Sequence, residues 1–183
     1  MWRELFLTVA QLLVASPIAW KDLEKAKRNR EDFLNRFLYP LFGLIALASF
    51  IGGLWFTRDG DLENALKRSI IAIVTVFGAY IIISYILNEL SERFELVKEP
   101  FLFQCFTGYA SVVMYLLYCL IPFLPDFFIL WLLALYTIHL VHMGAIYFLK
   151  VPVHKRGVFI VTASLLVILV PAFIHALFSF VIN

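Results

Sequence analysis

The charged residues of this 183-residue chain are spaced so that they leave five long uncharged stretches, each of 20 to 27 residues. These are residues 37–57, 69–88, 100–125, 127–149 and 157–183. An α-helix needs about 20 mostly apolar residues to cross a hydrocarbon core of about 30 Å. All five stretches are long enough, and none alternates with the two-residue period of a membrane β-barrel strand. The sequence therefore predicts an all-α integral membrane bundle of five transmembrane helices.

Composition excludes most other classes of protein. Apolar residues make up 63% of the chain and charged residues 15%, whereas soluble domains carry about 45–50% and about 25%. Too few polar side chains remain to cover a soluble surface, which excludes a disordered chain, a fibrous repeat and an ordinary soluble enzyme. A net charge of +2 indicates no nucleic-acid partner. Cys105 and Cys119 form no CxxC pattern, so neither a disulfide framework nor a structural zinc site is expected.

We divide the chain into a cytoplasmic, amphipathic and charged N-terminal segment, residues 1–36, and a five-helix transmembrane domain, residues 37–183. The predicted spans are approximately 37–57, 69–88, 107–124, 127–149 and 158–182. The third span is expected to begin near Thr107 or Gly108, which would leave residues 100–106 at the membrane interface. Pro125 and Asp126 predict a tight turn over residues 124–127, so the third and fourth spans should form an antiparallel hairpin.

Lysine and arginine residues orient the predicted bundle. Seven precede the first span, and the following connections hold three, two, none and three, with none after the last span. Alternating these segments between the two sides places twelve on the N-terminal side and three on the other. The positive-inside rule then puts the N-terminus in the cytoplasm and the C-terminus outside. Lys67 and Arg68 lie on the less basic side, where both side chains are able to reach the lipid headgroups.

The N-terminal segment begins with an amphipathic pattern. Apolar residues recur at helical spacing: Trp2, Leu5, Phe6, Val9, Leu12 and Leu13. This helix is too short to span, and the pattern is typical of one that lies in the membrane interface. Ser16-Pro17 predicts the N-cap and first residue of a second helix, which leads into the charged run of residues 21–32. That helix pair either docks a partner protein or anionic lipid, or is a solvated stem that only anchors the bundle.

Six polar side chains fall inside the predicted spans and are the candidate site residues: Tyr115, Tyr118, Tyr136, His139, His142 and His175. His139 and His142 share one helix face, and two imidazoles can bind a metal ion if a third ligand is present. No Asp or Glu lies inside a span, and His175 is predicted at a different depth. We therefore expect no metal site, with the histidines hydrogen-bonded across helices to hydroxyl groups.

Catalytic motifs are missing from the sequence. It contains no G-x-S-x-G, no H-E-x-x-H and no phosphate-binding glycine loop. We therefore predict a protein that is not an enzyme and that has no cofactor. Small residues indicate packing instead: Ala48 and Gly52, and Ser49 and Gly53, are spaced for close contact between helices. Pro40, Pro122 and Pro171 predict helix starts or kinks.

The order of these features resembles a known family. Ser16-Pro17 and Trp20 precede a charged helix, a third span opens with Gly108-Tyr109-Ala110-Ser111, and the same span ends at Ile121-Pro122. This order is similar to that of the bacterial branch of the Yip1-domain proteins. The resemblance implies a five-helix protein with a cytoplasmic N-terminus. Eukaryotic members are associated with Rab-type GTPases, vesicle traffic and membrane shaping, but their functional acidic and glycine positions have no match here. The resemblance therefore assigns no site residues.

These observations favour an adaptor or membrane-organising module in a bacterial inner membrane. Its partners would be membrane lipids and another membrane or cytoplasmic protein, bound at a cytoplasmic face built from residues 2–36, 89–99 and 150–156. The chain is also compatible with an oligomer. The alternative is a small transporter or channel that uses the polar residues of spans three and four.

Overall fold

The computed structural model describes residues 2–26, 28–55, 61–124 and 129–182, with the side chains of 129–131 and 182 excepted. The described residues fold into ten α-helices: α1 (Trp2–Val14), α2 (Ser16–Ala26), α3 (Arg30–Phe33), α4 (Tyr39–Trp55), α5 (Leu62–Glu89), α6 (Pro100–Ala110), α7 (Val112–Leu120), α8 (Ile129–Ala134), α9 (Tyr136–Tyr147) and α10 (Val153–Ile182). Lys27, Arg58 and the predicted turn at Pro125 and Asp126 lie outside these residues.

Within the described residues, three helices are long and apolar enough to cross a membrane. They run over Arg30–Trp55, Leu62–Glu89 and Val153–Val181. The α6–α7 pair adds a fourth if its two halves form one span, and a shorter apolar segment covers Leu132–Tyr147. The all-α prediction is confirmed, and three or four of the predicted spans have helices of sufficient length.

The first long helix contains a π-helical turn, Leu34–Leu38, which ends two residues before Pro40. There the Tyr39 N–H donates to the carbonyl of Leu34, five residues earlier. Proline has no N–H to donate, and its ring crowds the carbonyl four residues before it, so the wider turn accommodates Pro40. The distortion of the helix that was predicted at Pro40 is therefore observed. By contrast, α10 contains Pro171 and continues past it.

The third predicted span is bent in its middle. The axes of α6 and α7 differ by 45°, and the break lies at Ser111, next to the small residues Gly108 and Ala110 rather than at a proline. The helix begins at Pro100, seven residues before the expected start at Thr107. Pro100 suits the first helical turn because an N–H there would have no intrahelical partner. Phe103 and Phe106 are fully buried in the bundle.

Small residues bring α4 close to its neighbours. A Cβ at Gly53 would lie 2.8 Å from the Cα of Ala65 on α5, and a Cβ at Gly52 would overlap Pro122 after α7. The prediction that Gly52 and Gly53 permit close packing is confirmed. Asp61 begins α5 before the uncharged stretch, because its side chain accepts the Asn64 N–H at 2.7 Å and caps the helix.

The N-terminal helices are part of the bundle rather than a separate stem. α1 packs against α2, the π-helical turn and α7, and α2 packs against α9. The largest fully buried side chains include five phenylalanines and one tryptophan: Trp20, Phe33, Phe37, Phe103, Phe106 and Phe159. The aromatic core therefore includes residues from the N-terminal segment, the bent helix pair and α10.

Candidate functional site

Three charged segments that are distant in the sequence meet at one end of the bundle. Lys150 Nζ, after α9, lies 2.8 Å from Glu24 Oε1 on α2, across 126 sequence positions. His154 Nε2, in the first turn of α10, lies 3.1 Å from Glu95 Oε1, which follows a 3₁₀ turn over Ser91–Phe94. Lys155 Nζ lies 3.9 Å from the same Glu95 oxygen. We call this region, formed by residues 21–26, 89–99 and 150–156, the charged end.

Two residues of the charged end have left-handed backbone conformations. Glu95 has a φ of 59° and Lys150 a φ of 55°, and no other non-glycine residue in the described chain has a positive φ. At Glu95 the geometry closes a helix-ending motif, in which Glu95 N–H donates to Glu92 and Leu96 N–H donates to Ser91. Glycine is the usual residue at this position because a side chain is disfavoured there. Both strained positions carry side chains that form ion pairs.

One more ion pair lies within the charged end, and two others, both formed by Arg36, join residues outside it. Lys98 donates to Glu89 Oε2 at 2.8 Å, and this hydrogen bond raises the pKa of the Lys98 ammonium above its ordinary value. Arg36 lies 3.0 Å from Asp32 and 3.8 Å from Glu4. Exposed pairs of this kind contribute only about 0–1 kcal/mol each to stability. Their main effect is to fix the relative positions of charged side chains at the surface.

Trp20 holds α2 in the bundle directly below the charged end. Its ring centroid lies 5.4 Å from that of Phe148, 5.7 Å from that of Phe106 and 6.1 Å from that of Tyr109. A Cβ at Gly144 would lie 2.8 Å from both the Trp20 and the Phe106 ring, so this approach requires glycine. The charged face of α2 is therefore attached to a rigid aromatic cluster.

Three of the predicted site residues lie on α7 and α10. Tyr115 and Tyr118 line an internal cavity of about 10 Å³, together with Tyr80, Ser111 and other side chains. A volume of that size is close to the minimum for one water molecule. The Tyr118 ring lies 6.1 Å from that of His175, which is exposed on α10.

Tyr136 and His139 have different neighbours. The Tyr136 hydroxyl donates to the main-chain carbonyl of Leu13, at the end of α1, at 2.7 Å. Its ring lies 5.1 Å from that of His139, and both His139 and His142 are half-buried. The six candidates thus divide between an α7–α10 group and an α1–α9 group, and the structure does not bring them into one site.

Metal ligands do not converge in the part of the chain that the structure describes. No group of three His, Cys, Asp or Glu side chains there is arranged to hold a metal ion. The expectation that His139 and His142 hold no essential metal remains a prediction, to be tested by metal analysis.

Sequence reasoning did not identify Gly144, nor the backbone roles of Glu95 and Lys150. Gly144 lies in an apolar stretch with no second glycine four residues away, so no small-residue motif marks it. Glu95 and Lys150 adopt left-handed backbone conformations, which a glycine in the sequence usually indicates. Because neither residue is glycine, the sequence does not reveal these conformations. A local cue existed only for Trp20, whose position after Ser16-Pro17 contributed to the family resemblance.

A match to a known family model identifies the family of this chain. A family model for the Yip1 domain matches residues 11–175. The chain belongs to the Yip1-domain family. The match confirms the resemblance drawn from the sequence, and it contains Trp20, Glu95, Gly144 and Lys150. Searches of curated proteins and of solved structures returned no match.

Family membership agrees with the character of the helices. Yip1-domain proteins are membrane proteins, and the described part of this Yip1-domain chain has three or four helices that are apolar and long enough to span a bilayer. The matched residues begin inside α1, and they include the whole of α2 and the charged end. The N-terminal helix pair therefore belongs to the Yip1 domain as far back as Gln11.

Proposed function

We propose that this Yip1-domain protein is a non-enzymatic adaptor, or membrane-organising module, that binds a partner protein through its charged end. One observation supports the proposal above all: ion pairs from Glu24 and Glu95 join three segments that are distant in the sequence into one surface. Isolated exposed pairs add little stability, yet here they coincide with two left-handed residues that cost backbone energy. Strain of this kind is commonly retained at binding surfaces.

The proposed topology has five spans, with the charged end in the cytoplasm of a bacterial cell and the C-terminus outside. The fourth span would be formed by α8 and α9, the two shorter helices on either side of Leu135. The Lys and Arg asymmetry supports this orientation, because the residues of the charged end belong to the more basic side. Reporter fusions at each terminus test it, and two termini on one side would contradict it.

The alternative of a transporter or channel has no support in the geometry. It requires Tyr115, Tyr118, Tyr136, His139 and His142 to line one aqueous path. Instead, Tyr136 is bonded to the Leu13 carbonyl, while Tyr115 and Tyr118 face a cavity with room for about one water molecule. We therefore propose binding rather than transport as the function of this protein.

Photo-crosslinking in intact membranes tests the adaptor proposal. A photoreactive amino acid is placed at Lys25 or at Glu92, both exposed at the charged end. The matched control is Glu63, an exposed glutamate near the start of α5, at the opposite end of that helix. We expect one shared protein adduct from Lys25 and Glu92 and none from Glu63.

The same experiment in a Glu95→Ala background shows whether the ion pairs define the surface. The shared adduct should weaken there while the protein remains folded and inserted. Equal labelling from all three positions, or no protein adduct from Lys25 and Glu92, would overturn the proposed partner surface.

A further inference from the structure

The outer ends of α1 and α2 both carry a glutamate that pairs with a basic residue next to a predicted span. Glu4, in the first turn of α1, lies 3.8 Å from Arg36, and Glu24, near the end of α2, pairs with Lys150. Lys21 Nζ also lies 4.6 Å from the ring centroid of Tyr147, the last residue of α9. In the proposed topology Arg36 and Lys150 lie on the same side of the membrane, so the two helices enter and leave the bundle there. We call this pair, joined by the single residue Ala15, the N-terminal hairpin.

The turn of the hairpin lies deep along the bundle. The Leu13 carbonyl accepts the hydroxyl of Tyr136, the first residue of α9. From Tyr136 to Tyr147 the α9 axis advances about 16 Å, and the 13 residues of α1 advance about 20 Å. Both lengths are more than half of a hydrocarbon core of about 30 Å.

The main-chain groups at the turn have partners inside the protein. Ala15 N–H donates to Gln11, and the Ala15 carbonyl accepts the N–H groups of Ile18 and Ala19. Tyr136 satisfies the Leu13 carbonyl. Non-helical backbone at membrane depth is tolerated where its polar groups are satisfied in this way.

The outward surface of the hairpin is apolar around its tip. Val14 is 89% exposed and Ile18 61%, and Phe6 and Leu7 are also exposed. The inward surface is apolar too, with Leu5, Leu12 and Trp20 buried in the bundle. No charged residue occurs from residue 5 to residue 20. An interfacial helix would present a polar face to water, whereas the exposed surface of this hairpin from residue 5 to residue 20 is apolar except for Gln11.

We propose that α1 and α2 form a re-entrant hairpin, and that acyl chains of the leaflet at the charged end cover Phe6, Leu7, Val14 and Ile18. The hairpin enters that leaflet, turns near the bilayer centre at Ala15 and returns to the same surface. It replaces the interfacial helix expected from the sequence. The proposal rests on the proposed five-span topology, in which α9 lies within the bilayer and Arg36 and Lys150 lie on the same side of it.

Depth-dependent fluorescence quenching tests this placement. Single cysteines replace Val14, Lys25 or Ile138 in a background without Cys105 and Cys119, and each carries a small environment-sensitive fluorophore. Ile138 is exposed on α9, close in sequence to Tyr136, and therefore serves as the control for depth. The proteins are studied in phosphatidylcholine–phosphatidylglycerol vesicles, either with lipids brominated on the acyl chains or with iodide in the buffer.

We expect bromine to quench Val14 and Ile138 to a similar degree, and iodide quenching at Val14 to be several-fold weaker than at Lys25. Iodide quenching of Val14 alone, at the level of Lys25, would overturn the re-entrant hairpin and leave the topology intact. Iodide quenching of both Val14 and Ile138 would instead contradict the proposed topology. Protection of Val14 from both quenchers would show that protein, such as a second copy of the chain, covers the tip, and would also overturn the proposal.

Discussion

The indole ring of Trp20 lies against the backbone of Gly144, with its Cζ2 atom 2.8 Å from the point where a Cβ at that position would lie. The ring of Phe106 approaches the same point equally closely. Two rigid aromatic rings therefore meet α9 at a residue that has no side chain. This contact fixes the N-terminal hairpin to the bundle.

Replacing Gly144 with alanine should destabilise the protein. Overpacking a core costs about 1–3 kcal/mol, which exceeds the gain of about 0.5–1 kcal/mol from removing a glycine from a helix. Thermal unfolding in detergent measures the difference. Gly43→Ala is the matched control, because a Cβ there meets nothing within 4 Å. Equal stability of the two variants would contradict the packing described for Trp20.

Tyr136→Phe should loosen the tip of the hairpin without unfolding the bundle. The change removes the hydrogen bond to Leu13 and leaves a carbonyl without its partner, at a cost of about 1–3 kcal/mol. Increased labelling of a cysteine at Val14 by a water-soluble maleimide reports the loosening. Tyr85→Phe, on the exposed surface of α5, should leave that labelling unchanged. Unaltered labelling in both variants would show that the bond does not hold the tip.

Glycine at position 95 should leave the protein more stable than alanine does. Both remove the contacts to His154 and Lys155, but only glycine relieves the left-handed backbone. We expect Glu95→Gly to be at least about 1 kcal/mol more stable than Glu95→Ala. Denaturant unfolding in mixed micelles measures this difference. If the two variants were equally stable, the backbone at Glu95 would not be strained.

The double variant His139→Asn, His142→Asn should insert and fold like the original protein, since asparagine retains polar groups of similar size. Elemental analysis of purified protein should find no stoichiometric transition metal in either form. A metal present in the original protein and lost from the variant would overturn the prediction that these histidines hold none.

Length and charge made the helices predictable. The uncharged stretches that include Ile45, Val76 and Val167 correspond to the three longest helices, because bilayer thickness sets a minimum length that sequence reveals directly. The close contact at Gly52 and Gly53 was predictable for a similar reason, since small residues at that spacing permit helix contact.

Contacts between distant segments were not predictable. Trp20 packs on residues more than 80 positions away, and no local pattern shows which cleft an aromatic residue will enter. The amphipathic pattern of α1 was present, but it does not distinguish a bilayer surface from the flank of a bundle. The six polar candidates were grouped by span and depth. In the structure these candidates fall into two groups because their helices face different neighbours. The sequence does not determine which way a helix faces.

The cleft that holds Trp20 consists of residues that the ribosome adds long after the hairpin itself. Lys150 follows Glu24 by 126 positions, which at about 5–20 residues per second takes about 6–25 s. During that time the apolar faces of α1 and α2 have only lipid or the insertion machinery to cover them. The first helices to be synthesised therefore cannot reach their final position until α9 has been made.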